Sequence, residues 1–184
     1  MLLHLRRSII AIVIMTALLG FIYPLAETGL SQWWFSHEAN GSLTANGSTL
    51  VGQQWKGPDW FQGRPDADDP LATGSANLGP TSKALVAAVR AQIKADAALG
   101  IKNPPADLVT TSGSGVDPDI SPAAALAQVN AVAKARGLSP ASVRKLVYQV
   151  EQGPYLGFLG SATVNVLQLN EALANLVVRS NSGG

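Results

Sequence analysis

A small extracytoplasmic α/β (α+β) domain tethered by one N-terminal transmembrane helix is the fold class this sequence predicts. Three observations carry it. An uncharged apolar run occupies residues 8–26, strand-like and helix-like segments alternate beyond it, and 184 residues suffice for one compact domain. Hydrophobic residues make up 47%, charged residues 14% and the formal net charge is +1. Those values exclude a disordered chain and leave no electrostatic footprint for nucleic acid. With no cysteine, a disulfide scaffold, a thiol nucleophile and thiolate metal sites drop out as well.

The apolar run reads SIIAIVIMTALLGFIYPLA between Arg7 and Glu27. As a helix it is about 28 Å long, close to the thickness of a bilayer's hydrocarbon core. A cleaved signal peptide is the competing reading, but Pro24 stands where an A-x-A cleavage pattern needs a small residue. Arg6 and Arg7 flank the N-terminal end and the ten residues after Ala26 carry no Lys or Arg, so the positive-inside rule places the N-terminus in the cytoplasm. Thr16, Ala17 and Gly20 offer small residues against which another transmembrane helix could pack. Trp33, Trp34 and Phe35 form an aromatic group that needs covering by lipid or a partner. The organisation expected is a short cytoplasmic N-terminus over 1–7, the transmembrane helix over 8–26, an aromatic juxtamembrane segment and linker over 27–49, the α/β domain over 50–178 and a frayed tail over 179–184.

Within the linker, Asn40-Gly41 and Asn46-Gly47 predict turns and a hairpin. Leu50 and Val51 begin a strand-like stretch that leads to the aromatics Trp55, Trp60 and Phe61. Thr81 opens a helix with Leu85, Val89 and Ile93 on one face, ending at Gly100. The β-branched run Asp107-Leu108-Val109-Thr110-Thr111 reads as a strand that feeds Ser112-Gly113-Ser114-Gly115. Ser121-Pro122 and Ser139-Pro140 each supply an N-cap hydroxyl followed by proline at the first helical position, and Gly137 and Gly153 close the two helices. Asn165 caps a last helix carrying Leu167, Leu169, Leu173 and Leu176.

Chemistry-bearing patterns are few. The loop from Thr110 to Pro122 exposes backbone N–H groups in the manner of a phosphate cradle, yet no Gly-Lys dipeptide exists for a Walker-type site. Calcium loops starting at Asp117 or Asp66 fail at their sixth positions, leaving only a non-EF arrangement of Asp66, Asp68 and Asp69, or a solvated acidic turn. No G-x-S-x-G elbow is present, and neither His4 nor His37 stands where it could serve a loop serine. Arg64, set between turn-formers near aspartates, reads as an ion-pair partner or a ligand contact, and Asn77 shares that ambiguity.

With these residues in view, the sequence resembles the C subunit family of the Kdp high-affinity potassium-transporting P-type ATPase. The blocks that carry the resemblance include Tyr23-Pro24-Leu25, Gln32-Trp33-Trp34-Phe35, Phe61-Gln62-Gly63-Arg64-Pro65, Ser75-Ala76-Asn77-Leu78-Gly79-Pro80-Thr81, Asp107-Leu108-Val109-Thr110-Thr111-Ser112-Gly113-Ser114-Gly115, Asp117-Pro118-Asp119-Ile120-Ser121-Pro122 and Val164-Asn165-Val166-Leu167-Gln168-Leu169-Asn170. Gln62, Asp66 and Asp119 depart from that family, which often has histidine, serine and histidine or asparagine there.

The resemblance implies a non-catalytic accessory subunit in the bacterial inner membrane. It would assemble with a channel-like potassium-binding subunit and an ATP-hydrolysing P-type subunit, so that ATP and potassium act at the level of the complex. The family is described as a catalytic chaperone that raises the affinity for ATP, and its Ser112 loop is likened to a nucleotide-binding signature. Positive-inside topology puts Ser112 on the side away from cytoplasmic ATP, so an indirect effect is expected. The loop residues Ser112, Gly113, Ser114, Gly115 and Asp117, with Arg64 and Asn77, are the expected ligand or partner contacts. Catalytic and metal-binding residues are not expected. Two rivals are a membrane-anchored Ser-Lys hydrolase using Ser112 or Ser114, and a ligand-sensing domain built on Arg64 and Asn77.

Overall fold

The computed structural model describes residues 1–66 and 73–182, with side chains as far as Leu176. Asp68 and Asp69 of the acidic turn, and the last two residues of the tail, lie outside the described residues. The chain divides into two compact units, Met1–Leu43 and Thr44–Gly184.

The first unit is dominated by one apolar helix, Leu2–Trp34, of 33 residues. At 1.5 Å per residue it is about 50 Å long, more than a hydrocarbon core requires. It consists of α1 (Leu2–Ala17), a π-helical turn (Leu18–Ile22) and α2 (Tyr23–Trp34). Pro24 explains the interruption: it has no N–H to give to the carbonyl four residues earlier, and its ring crowds that carbonyl. The wider turn, closed by the Tyr23 N–H on the Leu18 carbonyl, absorbs the mismatch and lets the helix continue. Residues 27–34, expected as part of a linker, are therefore helical. Every residue of the helix except Ser31 is exposed, as an apolar helix that meets lipid should be. Phe35 leaves helical geometry at φ −134° and ψ 44°, and a single turn, α3 (Ser36–Ala39), follows. The Asn40 and Gln32 side-chain amides then pair in both directions at 3.1 and 3.2 Å.

In the second unit the expected α/β alternation gives way to a mixed helical fold with few strands. A hairpin of β1 (Leu43–Thr44) and β2 (Gly47–Ser48) turns at Ala45 and Asn46, as the linker composition predicted. Leu50 and Val51, expected to start a strand, lie in a turn and a bend. Asp107 to Thr111 is also not a strand. Pro105 caps a helical turn, α5 (Ala106–Val109), and the Asp107 carboxylate in its first turn accepts the Ser121 N–H at 2.6 Å. The Asp107 bond to Ser121 ties this turn to the start of the next helix, and among the described residues no strand pairs with the run. Leu108 and Val109 are nonetheless buried.

The helices follow their caps. Ser82, one residue after Thr81, opens α4 (Lys83–Ala98), and Gly100 takes φ +86° beyond its end. Ser121 and Ser139 accept the N–H groups of Ala124 and Ser142, each at 3.1 Å, at the starts of α6 (Pro122–Arg136) and α7 (Pro140–Val150). Gly137 ends α6 in the left-handed conformation at φ +66°, with Lys134 and Arg136 in the last turn, where the helix dipole favours cations. Asn165 accepts the Gln168 N–H at 3.2 Å ahead of α8 (Val166–Ser182). An antiparallel ribbon of β3 (Asp119–Ile120) and β4 (Val164–Asn165) pairs Asp119 with Asn165 and Ile120 with Val164. The core packs Phe61 and Leu108 against Val129 and Val132 of α6, Val143 and Val147 of α7, Val164, and Leu169 and Leu173 of α8.

One buried carboxylate stands apart from the caps. Asp96, near the end of α4, accepts the Gln92 amide at 2.9 Å through Oδ1, while Oδ2 has no hydrogen-bond partner among the described residues. Burial pushes its pKa above the ordinary aspartate value, against the smaller opposing effect of the Gln92 bond.

Candidate functional site

The site is built on the segment from Phe61 to Asp66, which is neither helix nor strand. No strand pairs with it among the described residues, and two buried side-chain amides hold it instead. Asn170 on α8 accepts the Phe61 N–H at 2.9 Å and donates to the Phe61 carbonyl at 3.0 Å. Gln128 on α6 does the same for Gln62, at 2.7 and 3.0 Å. Each amide thereby reproduces the paired bonds that one strand residue offers another. Arg64 and Asp66 follow immediately on this clamped backbone.

Asp66 is the hub. Its Oδ1 accepts the Ser112 N–H at 2.6 Å, and its Oδ2 accepts the Ser112 hydroxyl at 2.7 Å and the Asp117 N–H at 3.1 Å. The Ser112 Oγ accepts the Gly115 N–H at 2.8 Å, and the Ser114 Oγ accepts the Val116 N–H at 3.2 Å. Arg64 closes the outside of the cluster, with Nη2 on the Thr111 carbonyl at 3.0 Å and Nη1 3.8 Å from the Asp117 carboxylate. Gly115 sits at φ +74°, and a Cβ there would come 2.7 Å from the Gly74 carbonyl oxygen, so this close approach requires glycine. Asn165 extends the network, donating to the Thr49 carbonyl and to the Asp119 carboxylate, each at 2.9 Å.

Of the residues singled out in the sequence, Arg64, Ser112, Ser114, Gly115 and Asp117 are brought together. Gly113 is in the loop but exposed, with nothing within 4 Å of a Cβ built on it. Asn77 does not join: it is exposed at φ +51°, and its N–H lies 3.3 Å from the Ser75 hydroxyl. Thr16, Ala17 and Gly20 are exposed on the long helix, and a Cβ on Gly20 would lie 3.9 Å from Thr16 Cγ2. Trp33 and Trp34 stack with ring centroids 5.4 Å apart, and they and Phe35 are exposed. Sequence reading missed Asp66 as the loop's anchor, along with Gln128 and Asn170 as the clamps. The loop's run of free N–H groups was the signal that it required an anion, but nothing local names a residue 46 positions away.

The chemistry open to this arrangement is narrow. A carboxylate accepting several N–H and O–H donors occupies the place that a phosphate takes in an anion nest. The adjoining cavity, lined by Gly52, Arg64, Asp66, Asp117 and Val166 among others, measures about 10 Å³, roughly the size of one water. Ser112 is 5% exposed, and its hydroxyl contacts are Asp66, Ser114 and Gly115. No lysine is among them. No cluster of metal-ligating side chains occurs among the described residues.

Comparison with known proteins bears on what such a chain belongs to. The family model described as KdpC: K+-transporting ATPase, c chain, matches residues 5–175. The chain is 48% identical over 186 residues to the potassium-transporting ATPase KdpC subunit of Sorangium cellulosum, covering 94% of this chain and 98% of that relative. It is 46% identical over 184 residues to the protein of the same description from Klebsiella pneumoniae, covering 91% and 95%. A third, from a Caulobacter strain, is 45% identical over 199 residues and covers the whole of both chains.

Proposed function

The chain belongs to the KdpC family, the c chains of potassium-transporting ATPases, and on that premise we propose that it is a non-catalytic accessory subunit of the ATP-driven potassium uptake complex. The helix Leu2–Trp34 anchors it in the membrane with Arg6 and Arg7 on the cytoplasmic side, and the domain beyond residue 50 stands outside the cytoplasm. There it stabilises the assembly of the potassium-binding and ATP-hydrolysing subunits and covers the outer potassium entrance. Small residues at Thr16, Ala17 and Gly20 are the helix-packing surface, and Trp33, Trp34 and Phe35 meet lipid headgroups or a partner.

One observation carries the non-catalytic reading. In the loop most like a ligand cradle, the Ser112 N–H and hydroxyl and the Asp117 N–H are taken by the Asp66 carboxylate, beside a cavity of about 10 Å³. A nucleotide needs free donors and far more room, so any effect on ATP affinity passes through contacts between subunits rather than through Ser112. Extraction of the full-length chain in mild detergent from potassium-starved cells, with a C-terminal tag, tests the reading. Two multispanning partners with potassium-stimulated ATPase activity are expected at constant ratio to the chain. A chain that emerges alone, or a complex that assembles and pumps normally without it, would overturn the assignment.

A further inference from the structure

Between α7 and β4 the chain makes a narrow excursion whose tip side chains are exposed. Its base is closed by two bonds between Gln152 and Thr163, at 2.8 and 2.9 Å, and its tip by two between Tyr155 and Leu159, both at 2.9 Å. At the turn, Leu156 and Gly157 both take positive φ, +54° and +82°. Positive φ at both central residues is the pattern of a type I′ turn, where Asn-Gly is favoured and leucine is penalised by its Cβ. The leucine is nonetheless there, 71% exposed, beside Tyr155 and Phe158, each 74% exposed, and Leu159 at 49%. Aromatic side chains carry about 150–250 Å² each, so the tip approaches the few hundred Å² of contiguous apolar surface that marks an interaction site on a soluble domain. Neither folding nor solubility calls for this set of residues, and a strained, pre-shaped backbone displays it.

We infer that the Tyr155–Leu159 tip is an apolar plug that seats in a neutral, apolar recess of another protein subunit of the same ATPase. This rests on the accessory-subunit reading. Charge selects the occupant. From Gln152 to Asn170 the sequence carries no charged residue, so the tip lacks the lysines and arginines with which a loop holds anionic lipid headgroups, and it offers nothing to a charged partner surface. A protein recess lined by apolar side chains is complementary to it. Its closed turn and paired base limit the ordering that binding requires, which favours tight seating of a few anchor side chains.

The test is made in the intact membrane-extracted complex. A benzophenone-bearing phenylalanine analogue replaces Phe158, and cross-links are read by mass. A cross-link to a different protein subunit is expected. In parallel, Leu156→Asn and Phe158→Ser are each expected to lower co-purification of the partner subunits about tenfold, the effect of removing an interface anchor. Asparagine suits the left-handed backbone, so the first variant keeps the turn. With the complex intact, cross-linking confined to lipid or to a second copy of this chain overturns the plug and leaves the accessory-subunit reading standing. An unaltered chain that extracts without partners overturns both.

Discussion

Two glycine-bearing loops of the same domain treat their surroundings in opposite ways. The loop at Ser112–Gly115 is tied to its own domain: the Ser112 N–H and hydroxyl go to Asp66, the Gly115 N–H to the Ser112 hydroxyl, and Gly74 packs against Gly115 too closely for a side chain. The loop at Tyr155–Leu159 satisfies its own backbone and turns large apolar side chains outward. The first has the composition of a ligand cradle and the geometry of a structural knot. The second has the composition of filler and the geometry of a contact surface. Small residues signal that backbone comes close to something, and the identity of that something is settled by what lies across from them in space.

The contrast is broken most directly at Asp66. Asp66→Ala removes the acceptor of three donors and leaves two N–H groups without their partner, for an expected loss of about 3 kcal/mol in denaturant unfolding of the full chain. An unchanged midpoint would mean that the loop is held by something else. A second carboxylate sharpens the comparison, because Asp96 is buried with one oxygen unpartnered. Its pKa is raised in the folded state, so the stability it contributes is fully present below the unfolded value near 3.9 and declines as pH rises through the folded value. Asp96→Asn is therefore expected to raise Tm at pH 7, by less than Asp66→Ala lowers it, with the gain vanishing below about pH 4. A gain that persists at acid pH would contradict this account. Smallest is the effect of Leu156→Asn on stability. Relief of the left-handed leucine is expected to stabilise the chain by about 1 kcal/mol, in the direction opposite to its effect on association. Loss of stability together with loss of association would point to a structural role for the tip.

What the sequence disclosed follows how local the interactions are. The Ser121-Pro122 and Ser139-Pro140 starts and the Gly137 stop are each written within a few residues, and all three occur where they were expected. The run at Asp107 misled because its β-branched residues find no strand to pair with among the described residues, while the Asp107 carboxylate reaches the Ser121 N–H of the next segment. The long helix exceeded its expected bounds because those were set by the charges at Arg7 and Glu27, whereas the helical backbone runs past both, Pro24 being absorbed by a π turn. At the site, Arg64 reads from the sequence as an ion-pair partner or a ligand contact, and in the structure its Nη1 lies 3.8 Å from the Asp117 carboxylate. Asp66 meeting Ser112, and Asn170 meeting Phe61 109 positions away, are pairings that no local pattern contains.

The amide clamps have a consequence for how substitutions spread through the domain. Asn170 and Gln128 grip peptide groups, which nearly every residue supplies alike, so the residue at 62 can change its side chain without releasing its backbone from Gln128. The freedom is not shared by the other half of each pair. An aspartate or a leucine at 170 lacks one or both of the groups the clamp needs. A substitution at either of these two interior positions on α6 and α8 thus acts at a distance: neither forms a hydrogen bond to Arg64 or Asp66 among the described residues, although both hold the stretch of chain on which those residues sit.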